Sequence, residues 1–431
     1  MPGRIGEGAA LLDLKLIRED PDTFRKALAR RGVTEELDRV LALDEDRRRL
    51  TVRVEALRAE QNRGSKAVGA AASEEDRRAL IARLKVVSAE LADLEPRLAR
   101  VEEGLRSAAA RLPNVPDESA PDGLTDEDNV EVRRWGEPRA FGFPPRDHVE
   151  LGQALGLIDL ERAARTSGSR FAYLLGDAVR IQFALVQYGL EFATRHGFIP
   201  VVPPVLVREE AMFGTGFLPT DEAQLYVTRE DNLYLVGTSE VSLASLHAGE
   251  ILDPESLPLR YLGYSTCFRR EAGAAGKDTR GIFRVHQFDK LELFAFVLPE
   301  SSREEHERFL AIEEEFYRSL EIPYRVVNVC VGELGASAAK KYDLEAWLPG
   351  QGRYREITST SNTTDYQARR LDCRVRLPEG NRPVHTLNGT LCAIGRTLIA
   401  LLENGQRADG GIDLPPALRP YLPEGTGPRV R

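Results

Sequence analysis

The strongest constraint in this sequence is a run of apolar residues whose spacing alternates between four and three: Leu80, Leu84, Val87, Leu91, Leu94, Leu98, Val101, Leu105, Ala108 and Leu112. A 3.5-residue period held over about four heptads keeps one narrow apolar seam on a helix, and such a helix needs a partner along its length. An upstream stretch carries a matching seam, Val40, Leu43, Leu50, Val54 and Leu57, interrupted by Arg47. Gly64-Ser65 and Val68-Gly69-Ala70-Ala71-Ala72-Ser73 separate the two stretches and let the chain turn back. The pattern predicts an antiparallel two-helix arm, roughly 40–50 Å long at 1.5 Å per residue. A dimerisation coiled coil, its seam filled by a second chain, competes with this reading. Pro96 falls between Leu94 and Leu98 and points away from the seam, and the backbone hydrogen bond it removes predicts a local kink. Ahead of the arm, Asp20-Pro21 marks a helix start inside a short helical cap from Leu11 to about Val33, where Phe24 and Leu28 form an i, i+4 pair.

A chain of 431 residues has room for further domains. Pro113, Pro116 and Pro121, among several acids, mark residues 113–130 as an irregular connector. Residues 1–112 then form an N-terminal domain and residues 131–431 a second one, with residues 1–10 expected to be disordered. Taken as a whole-chain average, the net charge of -9 argues against a nucleic-acid partner. The charge is unevenly divided, however: residues 1–111 carry 23 basic and 21 acidic side chains, residues 112–431 carry 36 and 47. The acidic excess therefore lies outside the arm. No apolar run approaches the ~20 residues that a membrane span requires. Met1-Pro2-Gly3-Arg4 offers no apolar leader, so a cytoplasmic location is expected. Cys267, Cys330, Cys373 and Cys392 are too scattered to suggest a zinc knuckle or a disulfide framework, and no zinc is expected.

Beyond residue 130 the pattern is mixed. Residues 170–196 read as a helix, and 391–404 as a final helix stopped by Gly405. Residues 233–237, 261–270, 283–298, 324–331 and 354–359 read as strands, several without an intervening helix, so an antiparallel sheet is expected. Neither a Gly-x-Gly-x-x-Gly turn after a first strand nor a Gly-x4-Gly-Lys-Ser/Thr loop occurs, which argues against Rossmann and P-loop nucleotide sites.

The stretch from Thr266 to Leu293, TCFRREAGAAGKDTRGIFRVHQFDKLEL, reads as a long hairpin with Arg269 and Glu271 on one face of the outgoing strand and Arg284 on the returning strand. Arginines beside an acid suit a nucleotide: the guanidinium takes phosphate or carboxylate oxygens, and the acid accepts from an adenine amino group. A surface ion-pair hairpin would show the same charges. The second chemistry-bearing element is LNGTLCAIGR, residues 387–396, read as an Asn-Gly-Thr turn leading into a helix that carries Arg396.

At this point the residues resemble a family. FRREAGAAGKDTRGIFRVHQFDKLE looks like motif 2 of the class II aminoacyl-tRNA synthetases in its seryl-tRNA synthetase form, and LNGTLCAIGRTLIALLEN looks like motif 3. HGFIPVVPPVLV resembles motif 1, ending in Pro203-Pro204; GTSEVSL resembles the serine-site loop; REITSTSNTTDYQARR resembles the segment that holds ATP with magnesium. The order fits across nearly the whole chain. The resemblance implies an α+β fold, an antiparallel sheet flanked by helices with an N-terminal antiparallel coiled-coil arm. It implies an ATP-dependent, AMP-forming serine–tRNA ligase that makes seryl-adenylate and passes serine to tRNA(Ser), and to selenocysteine tRNA where present. It also implies a homodimer through motif 1 and Mg2+ accompanying ATP.

Residue by residue, the resemblance makes Arg269 and Arg396 the catalytic residues. Arg269 would bridge the serine carboxylate and the α-phosphate, and Arg284 and Arg396 would take the phosphates. Arg270 would join this nucleotide site. Glu271 would hold the adenine amino group, Phe288 would stack on adenine, and Val285 would line its pocket. Glu356 and Ser359 would be the magnesium ligands, with Ile357 and Thr358 beside them in the ATP site. Thr238, Ser239, Glu240, Glu292, Asn388 and Thr390, together with Arg269, would bind serine. On the arm, Arg47, Arg48, Arg49, Arg53, Arg58, Arg63, Lys66, Arg77 and Arg78 are candidate tRNA contacts, though interspersed acids suggest that half are merely solvated. The chain departs from the usual pattern at Ser239, at Ala274, and at Thr390-Leu391-Cys392, where Leu391 is expected to add bulk beside the serine pocket. Such departures leave room for a specialised paralogue or an inactive homologue used as a binding module. The arm argues against a relative that aminoacylates carrier proteins.

Overall fold

The computed structural model describes residues 13–273, 278 and 280–422, together with the backbone of 429–430. The expected disorder of residues 1–10 and the departure at Ala274 lie outside the described residues. The chain divides into two compact units, Leu11–Leu112 and Pro113–Arg431.

In the first unit, α1 (Leu14–Glu19) and α2 (Pro21–Ala29) precede the long helices α3 (Glu35–Gly69) and α4 (Glu74–Arg111). Asp13 and Asp20 cap the first two, each accepting backbone N–H groups that have no partner inside the helix. The long helices run antiparallel: Gly104 approaches Leu43, Arg53 pairs with Glu90, and Glu60 pairs with Arg83. Leu50, Val54 and Leu57 bury against Val87, Leu91 and Leu94, so the seam is filled within one chain, as the arm reading requires. Where Arg47 interrupts the seam, Asp44 is buried and receives both Arg47, at 2.8 Å, and Arg18 of α1, at 2.6 Å. The interruption is thus an ion triad that ties the N-terminal cap to the arm.

One feature of the arm differs from expectation. Gly64-Ser65 does not break α3, which runs on to Gly69. Gly64 is instead a close-approach position, because a Cβ there would lie 2.7 Å from Leu84 Cδ2. Pro96 is accommodated inside α4, which stays helical on both sides of it.

The second unit is built on a sheet of eight strands: β1 (Val130–Trp135), β2 (Ile199–Val201), β3 (Leu259–Phe268), β4 (Gln287–Val297), β5 (Tyr324–Asn328), β6 (Lys340–Leu348), β7 (Arg353–Thr364) and β8 (His385–Ala393). Their order is β1-β5-β6-β7-β8-β4-β3-β2, antiparallel except for the parallel β2–β3 pair. Five helices position the site: α5 (Asp177–Arg195), α6 (Glu240–Ala244), α7 (Ser302–Ser319), α8 (Tyr366–Leu371) and α9 (Ile394–Gly405). Residues 113–125 lack regular structure but are not a free connector: Asn114 donates to the Ser337 and Thr363 carbonyls, and Ala120 packs with Val329 and Val331.

Side-chain alternation divides the sheet into two faces. Leu291, Leu293 and Leu391 point into the main core with Ile181, Leu185 and Phe316. Gly189 of α5 lets Leu291 approach so closely that a Cβ would meet it at 2.3 Å. The intervening residues Lys290, Glu292, Asn388 and Thr390 face a cavity on the other side.

Candidate active site

The cavity encloses about 520 Å³ and is lined from strands β3, β4, β6, β7 and β8, from the starts of α6 and α9, and from adjoining loops. It gathers Thr238, Glu240, Arg269, Glu271, Arg284, Val285, Phe288, Glu292, Glu356, Ile357, Thr358, Ser359, Asn388, Thr390 and Arg396, which are spread over more than 150 residues of sequence. Two sequence candidates are not brought in. Arg270 is exposed, and its backbone N–H donates to the Gln224 carbonyl. Ser239 is fully buried beside Gly263, its hydroxyl without a partner among the described residues, so this departure from the usual loop leaves the cavity wall unchanged.

At one end the lining is acidic. Glu292 is buried, 2.5 Å from Lys290 Nζ and 3.2 Å from the Thr390 hydroxyl that donates to it. Glu240 accepts from Gln367 Nε2 at 2.7 Å and from Asn388 Nδ2 at 2.9 Å. Burial, and then the nearby Glu292 charge, push the Glu240 carboxyl up to about 7. Arg269 separates this end from the rest. Its Nε donates to the Gly237 carbonyl at 3.1 Å, and its guanidinium lies 5.2 Å from the centre of the Phe288 ring.

The other end carries cations. β3 stops at Phe268, and Glu271 has a left-handed backbone with φ 51°, so Arg269 and Glu271 do not share a strand face as the hairpin reading supposed. Arg284 likewise precedes β4, and its Nη1 lies 2.8 Å from Glu271. Arg396 stands in the first turn of α9, 3.2 Å from the Glu356 carboxylate. Burial would raise the Glu356 carboxyl, but Arg396, Lys341 and Arg269 outweigh it and hold the group down to about 2. Glu356 is therefore ionised and available as a hard oxygen donor.

Two bulges set the register of this wall. In the β6–β7 ladder Leu344 faces Thr358 and Glu345 faces Glu356, leaving Ile357 as the extra residue. In an unbulged strand, residues three apart point to opposite faces; the bulge at Ile357 turns both Glu356 and Ser359 to the cavity. The pair then fits Mg2+, which takes one or two protein oxygens and completes its octahedron with phosphate and water. In the β4–β8 ladder Leu291 faces Cys392 and Glu292 faces Thr390, so Leu391 is extra. Leu391 is wholly buried in the core and does not line the cavity, contrary to the expectation of added bulk beside the substrate end. Residues 388–390 are also strand, not a turn, and the final helix begins only at Ile394.

Sequence reasoning missed several lining or supporting residues. Phe283 is clasped by two guanidinium groups, Arg355 at 3.9 Å and Arg396 at 4.7 Å from the ring centre. Arg355 also pairs with Asp278 at 2.7 Å. Lys341 lines the cavity 3.6 Å from Asp343, whose place opposite Ser359 follows from the β6 strand that had not been read.

Comparison with known proteins matches this geometry. Residues 225–405 match the model for the tRNA synthetase class II core domain (G, H, P, S and T), and residues 11–116 match the seryl-tRNA synthetase N-terminal domain. The serine–tRNA ligase of Acidothermus cellulolyticus is 52% identical over 96% of this chain and 98% of its own length. The chain belongs to the seryl-tRNA synthetase family. A second family member, the serine–tRNA ligase of Rubrobacter xylanophilus, is 49% identical over 96% of this chain and 98% of its own. The crystal structure of seryl-tRNA synthetase from Pyrococcus horikoshii complexed with ATP superposes with a TM-score of 0.90 at 42% identity, covering 95% of this chain and 98% of that one. The family's class II core accounts for the antiparallel sheet and its N-terminal domain for the two-helix arm. Nothing in these matches favours a specialised paralogue or a binding module.

Proposed function

We propose that this chain activates L-serine with ATP to seryl-adenylate and then transfers serine to tRNA(Ser), both at the cavity between Glu240 and Arg396. The observation that carries the reading is the division of one cavity into two chemistries. A buried acidic end with a hydroxyl donor suits an amino acid's ammonium and hydroxyl groups, and a cationic end suits a triphosphate. Arg269 stands between them, its guanidinium placed for the serine carboxylate on one side and the α-phosphate on the other. No side chain need act as nucleophile, since the serine carboxylate attacks; the protein positions the groups and stabilises charge. Glu292, with Thr390 beside it, accepts from the serine amine and hydroxyl, and Glu240 faces the same ammonium. A site that pairs a hydroxyl rejects alanine strongly, by about 10⁴-fold. At the nucleotide end, phosphate oxygens replace Glu271 as the partner of Arg284, which frees Glu271 for the adenine amino group. Phe288 and Val285 hold the base, and Arg396 takes the terminal phosphate. Glu356 and Ser359 would hold Mg2+ with the nucleotide, and that ion, when bound, neutralises phosphate charge.

The arm is the tRNA-binding element in this reading. Arg53, Arg58, Arg78 and Arg83 are paired with acids on the arm, whereas Arg48, Lys66 and Arg77 have no acidic partner among the described residues and are the first candidates for phosphate contacts. A homodimer is supported by exposed apolar residues on α5 and around β2, namely Val179, Phe183, Ile199 and Val202. No helix among the described residues is long and apolar enough to cross a membrane. The test is ATP–pyrophosphate exchange with serine, threonine, alanine and glycine, followed by charging of serine tRNA. Serine should support exchange far better than the others; a chain that activates glycine or alanine better than serine would overturn the substrate assignment.

A further inference from the structure

Behind the acidic end of the cavity runs a chain of buried hydrogen bonds, in which the Thr363 and Thr386 hydroxyls also lie 2.6 Å apart. The Thr363 hydroxyl donates to the Thr386 carbonyl at 2.7 Å. The Thr386 hydroxyl donates to Gln367 Oε1 at 2.9 Å. The Thr215 carbonyl, at 3.4 Å, and Glu240 Oε1, at 2.7 Å, both accept, so the Gln367 Nε2 end is turned to them and its Oε1 to the Thr386 hydroxyl. Thr363, Thr386 and Gln367 are all essentially inaccessible to solvent. Gln367 is not part of the cavity wall, whereas Glu240 is. Asn388 Nδ2, on β8, donates to the same Oε1 at 2.9 Å. Two donors therefore converge on one oxygen of the Glu240 carboxyl.

The geometry points to Gln367 as a positioning residue for amino-acid recognition: it clamps Oε1 of Glu240 so that Oε2 is the oxygen presented to the substrate ammonium. This rests on the assignment of Glu240 to the serine end. The physical reason is economy of orientation. A carboxyl on the first turn of a five-residue helix, α6, has free rotation about its terminal bond unless something holds it. A buried amide with its own oxygen already occupied by Thr386 can offer only N–H groups there. A misoriented Glu240 would spend its free lone pairs on the wrong side.

The test uses full-length protein and steady-state exchange with serine and ATP varied separately. Gln367→Met keeps length and removes the donor; the serine KM should rise roughly tenfold, as for loss of a hydrogen bond to a charged group, with the ATP KM unchanged. Thr386→Val leaves Gln367 in place but frees its oxygen; the serine KM should rise in the same direction and by less. This second variant decides the matter if the first is insoluble. An unchanged serine KM in the soluble variant, or equal losses in the serine KM, the ATP KM and the melting temperature, would overturn the positioning role. Wild-type protein that shows no serine-dependent exchange would instead sink the functional reading on which it rests.

Discussion

The arm and the cavity use the same charged residue types to opposite ends. On the arm, Arg53–Glu90, Arg58–Glu95 and Arg83–Glu60 link the two helices from outside the apolar seam, and their side chains are largely open to water. Solvent and salt screen such pairs, and each contributes at most about 1 kcal/mol. In the cavity, Glu240, Lys290 and Glu292 are almost wholly buried, so each charge needs a partner or must shift its proton affinity. Glu292 has Lys290 and Thr390; Glu240 accepts from two amide groups beside the repelling Glu292, and its carboxyl moves up to about 7. The seam holds the arm's two helices together and the exposed cross-helix charges decorate it, whereas in the cavity the charges are the design and the core exists to aim them.

The comparison breaks most sharply at Arg269. Arg269→Ala removes the cation placed between the two ends of the cavity, and serine-dependent exchange should fall by about 10²–10³-fold, the range seen when a single preorganised charge donor is lost. The half-buried guanidinium is held by one carbonyl and one ring, so the melting temperature should change little. Exchange within a few-fold of wild type would mean that charge in the cavity is as dispensable as charge on the arm.

A smaller effect follows from Glu240. Its carboxyl is protonated below about 7 and ionised above, under the influence of burial first and then of Glu292, Lys290 and Arg269. An ammonium substrate favours the ionised form. The serine KM should therefore rise as pH falls through 7, by up to about tenfold per unit well below it. Glu240→Gln should bind serine more weakly throughout and lose that slope. The stability sign is the reverse: because the folded state holds this proton more tightly than the unfolded chain, Glu240 costs stability as pH rises from its ordinary value of 4.5 through about 7. A serine KM that is flat from about pH 6 to 8 would show that Glu240 does not meet the ammonium.

How much of this could be read from sequence follows the same division. The arm was legible because its rule is local: Leu80 to Leu112 repeat at a helical period, and the partner stretch lies close by in the chain. Its one misreading, Gly64 taken as a breaker, arose because the cause is non-local, the approach of Leu84 on the facing helix. The motif residues were legible by resemblance, which supplied their identities but not their geometry. Whether Glu356 and Ser359 face the same way depends on the bulge at Ile357, a matter of pairing between β6 and β7. β6 itself was missed although Tyr342, Leu344, Ala346 and Leu348 are buried at a period of two; Lys340, Lys341, Asp343 and Glu345 masked the pattern, Lys341 because it lines the cavity. Gln367 gave no signal at all, since an amide counts as a core residue only once its acceptors are known.

The smallest expected effect lies on the arm. Arg53 Nη2 is 2.5 Å from Glu90, a geometry as close as Lys290–Glu292 in the cavity, yet the Arg53 side chain is 55% exposed and the lysine 7%. If burial and not distance sets the strength of a charge pair, a double-mutant cycle with Arg53→Ala and Glu90→Ala should return a coupling of only about 0.2–1 kcal/mol in denaturant unfolding of the arm. That coupling should shrink further as salt is raised, because both groups sit within reach of the ion atmosphere. Serine-dependent exchange should be untouched in all three variants. A coupling above about 2 kcal/mol that resists salt would place Arg53–Glu90 in the energetic class of the buried pairs and remove the distinction between the two units. A coupling near zero would sharpen it: the seam of Leu50, Val54, Leu57, Val87, Leu91 and Leu94 would then hold the hairpin alone, leaving the arm's surface charges free to be chosen for what they bind.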